Sequence, residues 1–100
     1  MKVRMLGTKI DLTTELKDYI QEKMDMLEKY LGDIKATNCD VEVALVKGKA
    51  KHGKVYRAEV NLELPGSLLR VEKEEESLYK AIDKVKDHLV RSIKRYKEKK

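Results

Sequence analysis

Two stretches of the chain repeat apolar residues with the period of an α-helix. The first runs from Thr14 to Leu31 and follows Thr13, a residue type that often caps a helix start. Its apolar residues recur at steps of three or four: Leu16, Ile20, Met24, Leu27 and Leu31. The second runs from the capping residue Ser77 to about Lys97, and its apolar series is Leu78, Ile82, Val85, Leu89, Ile93 and Tyr96. The pattern predicts two amphipathic helices, each with one face to bury.

Four other stretches have the composition or the alternation of β-strands: Lys2–Ile10, Asn38–Lys47, Lys54–Leu64 and Ser67–Lys73. The third is the clearest, because every second residue from Tyr56 to Leu64 is apolar. Such a period of two predicts a strand with one buried and one solvated face. The pair Pro65-Gly66 predicts a tight turn into the last strand.

The predicted order of elements is therefore β-α-β-β-β-α. The first two strands flank a helix, so we expect them to be parallel with a right-handed crossover, and the later strands to form a meander. Two helices packed on one face of a four-stranded sheet would bury all the apolar faces at once. We expect an α+β protein with residues 1–100 as one domain.

The charge of the chain is distributed unevenly. The net charge is +5, and 41% of the residues are charged. Residues 77–100 hold nine basic and three acidic side chains, a balance of +6, whereas the first 76 residues come to −1. A one-sided excess of this kind indicates a polyanionic partner, either nucleic acid or an anionic membrane.

The positive excess falls on one side of the last helix. At about 100° per residue, its basic residues lie within about 80° of each other and opposite the apolar series. We call this group the basic face: Lys80, Lys84, His88, Arg91 and Arg95. Consecutive members lie about 5–6 Å apart along the axis, which is similar to the spacing of phosphates along one strand. A solvated helix face, supported by an Asp87–Arg91 pair, is the alternative.

The segment between the second and third strands is a second basic cluster. Residues 47–54 hold four lysines, among them Lys49 and Lys51, together with His52 and two glycines, and hold no acidic residue. It is either a partner-binding loop or a charged hairpin loop that keeps the ends of the sheet soluble.

The sequence offers little support for other classes of protein. His52 and His88 lie among basic residues, without a carboxylate and a nucleophile in a recognisable motif, so we expect no enzyme. Cys39 is a lone cysteine, and no metal-ligand spacing or phosphate-binding loop is present, so we expect no metal and no cofactor. No secretory leader or membrane-length apolar run is visible, which favours a cytoplasmic protein. A membrane-surface function is disfavoured, because aromatic residues do not flank the basic face.

Three segments resemble the family of ribosome hibernation promoting factors and the ribosome-associated inhibitor, protein Y. They are Gly7–Thr13, Glu22–Leu31 and Leu78–Asp83, the last continued by Leu89, Arg91 and the run Arg95–Lys99. The resemblance covers nearly all of the chain and suits either the short form of the family or the N-terminal domain of its long form. Ser77, His88 and Ser92 depart from the residues usual in the family, as does Met26, which stands where a lysine is common.

The resemblance implies a fold similar to double-stranded-RNA-binding domains, with the same β-α-β-β-β-α order. It also implies a translation inhibitor that binds 16S ribosomal RNA in the decoding channel of the small subunit and blocks messenger and transfer RNA. It implies no small-molecule substrate. By position it adds Lys23, Lys29 and Lys97 to the RNA-binding residues and supports Arg91 and Arg95. Two alternative functions remain open. The first is a general double-stranded RNA-binding module without ribosome preference, and the second is an RNA-modifying or RNA-cleaving enzyme.

Overall fold

The chain begins with a strand and ends with its longest helix. The computed structural model describes residues 1–47 and 53–99. In chain order the elements are β1 (Arg4–Thr8), α1 (Thr14–Asp25), α2 (Glu28–Leu31), β2 (Asn38–Lys47), β3 (Lys54–Leu64), β4 (Ser67–Glu75) and α3 (Leu78–Glu98).

The four strands form one mixed sheet in the order β1-β2-β3-β4. β1 runs parallel to β2 with Met5 opposite Val41, and β2, β3 and β4 form an antiparallel meander. Val41, Val60 and Val71 stand side by side on neighbouring strands, and all three are buried. The predicted α+β fold with its parallel first pair is confirmed.

The helices and one face of the sheet share a single apolar core. From the helices it takes Leu16, Ile20, Met24, Leu27, Leu31, Ala81, Ile82, Val85, Leu89 and Ile93. From the sheet it takes Cys39, Val41, Val43, Ala58, Val60, Leu62, Leu64 and Val71. The apolar series read from the two helical periods is therefore the one that packs on the sheet.

The prediction of one helix from Thr14 to Leu31 is wrong in one respect, because α1 ends at Asp25 and α2 begins at Glu28. The N–H of Leu27 donates to the carbonyl oxygen of Met24, three residues back, at 3.0 Å. This tighter turn interrupts the regular four-residue bonding. Leu27 stays fully buried, so the apolar face continues across the break.

Two strands, β1 and β4, also differ from their predicted bounds. β1 is shorter than Lys2–Ile10 and ends at Thr8, because Lys9 has a backbone φ of +60° that cannot continue a strand. β4 runs beyond Lys73 to Glu75, since Glu75 still pairs with Tyr56 of β3. Pairing with β3 therefore extends β4 by two residues beyond its predicted end.

The predicted helix starts are confirmed. The hydroxyl of Thr13 accepts a hydrogen bond from the N–H of Leu16 at 3.2 Å. The hydroxyl of Ser77 accepts one from the N–H of Lys80 at 3.4 Å. Each cap satisfies a backbone donor that a helix start leaves without a partner.

Candidate nucleic-acid interface

The basic face lies on the outside of α3. Lys80, Lys84, Arg91 and Arg95 are exposed, and His88 is half-buried. The buried residues of α3 occupy the opposite side and hold the helix against β3 and β4. A long helix fixed on a rigid sheet therefore presents these cations to solvent in a set order.

Most of the cations on the basic face are not neutralised by neighbouring carboxylates. Lys84 is paired, since its Nζ lies 2.5 Å from Oε2 of Glu75 at the end of β4. Asp87 pairs with Lys86 at 2.8 Å and not with Arg91, so the predicted Asp87–Arg91 pair is absent. Within residues 1–47 and 53–99, no ion pair involves the remaining cations of the face: Lys80, Arg91 and Arg95.

His88 differs from the other members of the basic face. Its Nδ1 atom is buried and has no hydrogen-bond partner in the described part of the chain. Burial lowers the pKa of His88 below its usual value, and the positive charges of Lys73, Arg91 and Arg95 lower it further. His88 is therefore a neutral imidazole between cations at neutral pH.

A pH effect on stability follows from the lowered pKa of His88. The unfolded chain binds the proton of His88 more readily than the folded protein does. The free energy of unfolding is therefore unaffected by His88 above about pH 6.5 and decreases as the pH falls below that value. We expect the urea midpoint of the wild type to fall more between about pH 7.5 and about pH 5.5 than that of His88→Gln. Both proteins keep His52, which serves as an internal control. An equal fall in the two proteins would contradict the assignment.

A second group of cations surrounds Tyr30 where α2 approaches the end of α3. The Nζ atoms of Lys29 and Lys94 lie 5.2 and 5.5 Å from the centre of its ring. The Nζ of Lys97 donates to the carbonyl oxygen of Tyr30 at 3.0 Å. Cation–π contacts and a bond to a helix-end carbonyl hold these lysines in place. Lys29 and Lys97 therefore lie together beside Lys94, which the sequence did not single out.

Lys23 joins α1 to α3. Its Nζ lies 3.4 Å from Oδ1 of Asp83 and 5.2 Å from the ring centre of Tyr19, and its side chain is 18% exposed. Tyr19 donates its hydroxyl hydrogen to Asp83, and its ring meets that of Tyr79 edge to face. Burial, followed by the bond to Asp83, raises the pKa of Tyr19 to about 12. Much of the Lys23 charge is thus engaged within the protein.

The second predicted basic cluster is residues 47–54, between β2 and β3. Lys49 and Lys51, with the rest of residues 48–52, lie outside the described residues. They stay a prediction from the sequence.

The open face of the sheet carries the opposite charge, a feature that the sequence reading missed. Strand alternation puts six carboxylates there: Asp40, Glu42, Glu59, Glu63, Glu72 and Glu74. Three arginines share this face, and they pair as Arg4–Asp40 at 2.6 Å, Arg57–Glu72 at 3.4 Å and Arg70–Glu59 at 3.1 Å. α3 is therefore cationic, whereas the open sheet face is anionic. A separation of this kind orients a protein toward a polyanion.

The fold and this charge separation define a small α+β protein with one cationic helix, α3, packed on the sheet. In the described part of the chain, no helix is long and apolar enough to cross a membrane. The profile of the family described as sigma 54 modulation protein / S30EA ribosomal protein matches residues 3–100. The chain belongs to this family, which confirms the resemblance read from the three sequence segments.

Two curated relatives are named as ribosome hibernation factors, in slightly different words. A ribosome hibernation promotion factor of Deinococcus radiodurans is 29% identical over 94 residues, which are 94% of this chain and 48% of the relative. A ribosome hibernation promoting factor of Pseudomonas putida is 33% identical over 99 residues, 99% of this chain and 89% of the relative. The chain thus spans about half the length of some curated relatives and nearly all of others.

Two solved structures have the same fold. The crystal structure of the Thermus thermophilus protein Y N-terminal domain superposes with a TM-score of 0.83 at 34% identity and covers 96% of this chain and 99% of its own. A ribosomal subunit interface protein from Coxiella burnetii superposes with a TM-score of 0.75 at 20% identity, covering 98% of this chain and 99% of its own. The second similarity concerns the fold alone.

Proposed function

We propose that the protein is a ribosome hibernation factor that inhibits translation by binding to the small ribosomal subunit. The basic face of α3 contacts 16S ribosomal RNA in the decoding channel, and the protein blocks the binding of messenger and transfer RNA. It acts in the cytoplasm as a binding protein, without catalytic turnover or a cofactor.

The observation that carries the proposal is the unneutralised charge of the basic face. Lys80, Arg91 and Arg95 stand exposed on one rigid helix, and no described carboxylate pairs with them. Arg91 and Arg95 lie about 6 Å apart along the helix axis, close to the spacing of neighbouring phosphates, and Lys80 lies about 16 Å from Arg91. The three side chains can therefore meet separate phosphates of one strand. The names of the relatives from Deinococcus radiodurans and Pseudomonas putida support the ribosome as the partner.

Inhibition by occlusion fits the shape of the molecule. The described chain extends 45 × 28 × 18 Å and is built on one continuous core. Such a wedge would fill a channel sized for nucleic acid, and the anionic sheet face would point away from the RNA it contacts. A general double-stranded RNA-binding module would use the same cations. Sedimentation with small subunits, compared with binding to free duplex RNA, distinguishes the two functions, because only a ribosome-specific protein should prefer the subunits.

Binding to small subunits should weaken steeply as salt is added, because each lysine or arginine that meets a phosphate releases a counterion. Three such contacts predict a loss of about fortyfold in affinity between about 50 and about 200 mM salt. Co-sedimentation of the protein with purified small subunits across this range measures the slope. An affinity that stays level over the range would contradict phosphate contact.

A further inference from the structure

A cleft opens between the β3–β4 turn and the C-terminal end of α3. This open cleft has a volume of about 550 Å³, which lies within the range of about 300–1,000 Å³ typical of ligand pockets. Its lining residues come from the two elements: Pro65, Gly66, Ser67, Leu69, Ser92, Arg95, Tyr96 and Lys99. The cleft adjoins the basic face, because Arg95 belongs to both.

The cleft combines two kinds of wall. Arg95 and Lys99 supply positive charge, and charged side chains of this kind bind phosphate oxygens strongly. Pro65, Leu69 and the ring of Tyr96 supply apolar surface, which suits the flat face of a base. A nucleotide presents both a phosphate and a base, joined by its sugar, so the lining matches a nucleotide better than it matches a bare anion.

The aromatic wall is held in a fixed position. The hydroxyl of Tyr96 donates to the carbonyl oxygen of Pro65 at 2.5 Å and so ties α3 to the turn. The turn itself depends on Gly66, whose φ of +74° other residues rarely adopt. The Tyr96 cleft is therefore the preformed place for a base beside the basic face.

We propose that this cleft takes one unpaired nucleotide of the RNA that lies along the basic face. Its phosphate meets Arg95 and Lys99, and its base packs against Pro65, Leu69 and Tyr96. This inference rests on the proposed function and adds a preference for RNA in which an unpaired nucleotide adjoins a helical segment. A free mononucleotide has the same chemistry, and the experiment separates the two sources.

The test compares a short RNA duplex with the same duplex carrying one bulged nucleotide, by fluorescence anisotropy at fixed salt. We expect the protein to bind the bulged RNA about tenfold more tightly, the scale of one base stacked on a protein surface. Ser92→Trp fills the cleft with a large side chain and should bind both RNAs with the wild-type affinity for the plain duplex. Thr14→Trp adds the same side chain at an exposed position of α1 and should keep the preference.

A second pair of variants covers the case in which Ser92→Trp does not fold. Tyr96→Phe keeps the ring and removes the hydroxyl, so it should retain most of the preference for the bulged RNA. Tyr96→Leu removes the ring and should lose it. An equal preference in the two variants would contradict the role of the ring and overturn the proposal.

The remaining outcomes are equally decisive. A wild-type protein that binds both RNAs equally, or a Ser92→Trp variant that keeps the preference, would overturn the proposal. Tight binding of free adenosine monophosphate without any bulge preference would assign the cleft to a free nucleotide instead. Co-sedimentation with small subunits is scored separately, so ribosome binding without a bulge preference refutes this inference alone, and absence of ribosome binding refutes the proposed function.

Discussion

Reversing Lys80, Arg91 and Arg95 to Glu should reduce the affinity for small ribosomal subunits by about 100-fold or more, because three attractions to phosphate become repulsions. All three side chains are exposed, so each change alone should alter the free energy of unfolding by less than about 0.5 kcal/mol. Co-sedimentation with small subunits and inhibition of in vitro translation measure the effect, and the two activities should fall together.

The matched control reverses Lys9, Lys17 and Lys35 to Glu, which changes the net charge by the same amount at exposed positions elsewhere. Tyr19 faces α3, and Lys17 lies about 200° from Tyr19 around the axis of α1, so Lys17 is on the side of α1 that points away from α3. We expect this control to weaken binding only slightly. If both triple variants lost affinity equally, overall charge and not the basic face would determine binding. A folded basic-face variant with wild-type binding would move the contact surface away from α3.

Truncating Leu89 or Ile82 to Ala should lower the free energy of unfolding by about 2–5 kcal/mol, the usual cost of a cavity in a well-packed core. Both side chains are fully or almost fully buried between α3 and the sheet. Urea denaturation followed by circular dichroism measures the loss. Asp87→Ala is the control, an exposed change on the same helix that should cost less than about 0.5 kcal/mol. Losses under about 1 kcal/mol at both buried sites would contradict the packing of α3 on the sheet.

The fold could be predicted because its determinants are local and repeated. The periods of the apolar residues identified both helix faces and the buried side of β3, and Thr13 and Ser77 marked the helix starts. Two errors are local departures that the apolar period does not record: the tighter turn at Leu27 and the positive φ of Lys9. The third falls where a distant part of the chain decides the outcome. Glu75 joins β4 because Tyr56 pairs with it, a contact between residues that are far apart in sequence.

The candidate site could be predicted only in outline. The helical wheel identified the exposed cations of α3, since their direction depends on the period of one helix. It could not show that Lys84 pairs with Glu75, or that Lys97 bonds to the carbonyl of Tyr30, because both contacts depend on how separate elements approach each other. The Tyr96 cleft and the anionic sheet face depend in the same way on tertiary structure.

Binding of transfer RNA to purified small subunits, programmed with messenger RNA and measured by filter retention at rising protein concentration, tests the central claim most directly. Occlusion of the decoding channel predicts that transfer RNA is displaced as the protein binds, and that excess transfer RNA and messenger RNA displace the protein in turn. The variant with Lys80, Arg91 and Arg95 reversed should leave transfer RNA bound. Small subunits that hold the protein and transfer RNA together at saturation would contradict the proposed mechanism.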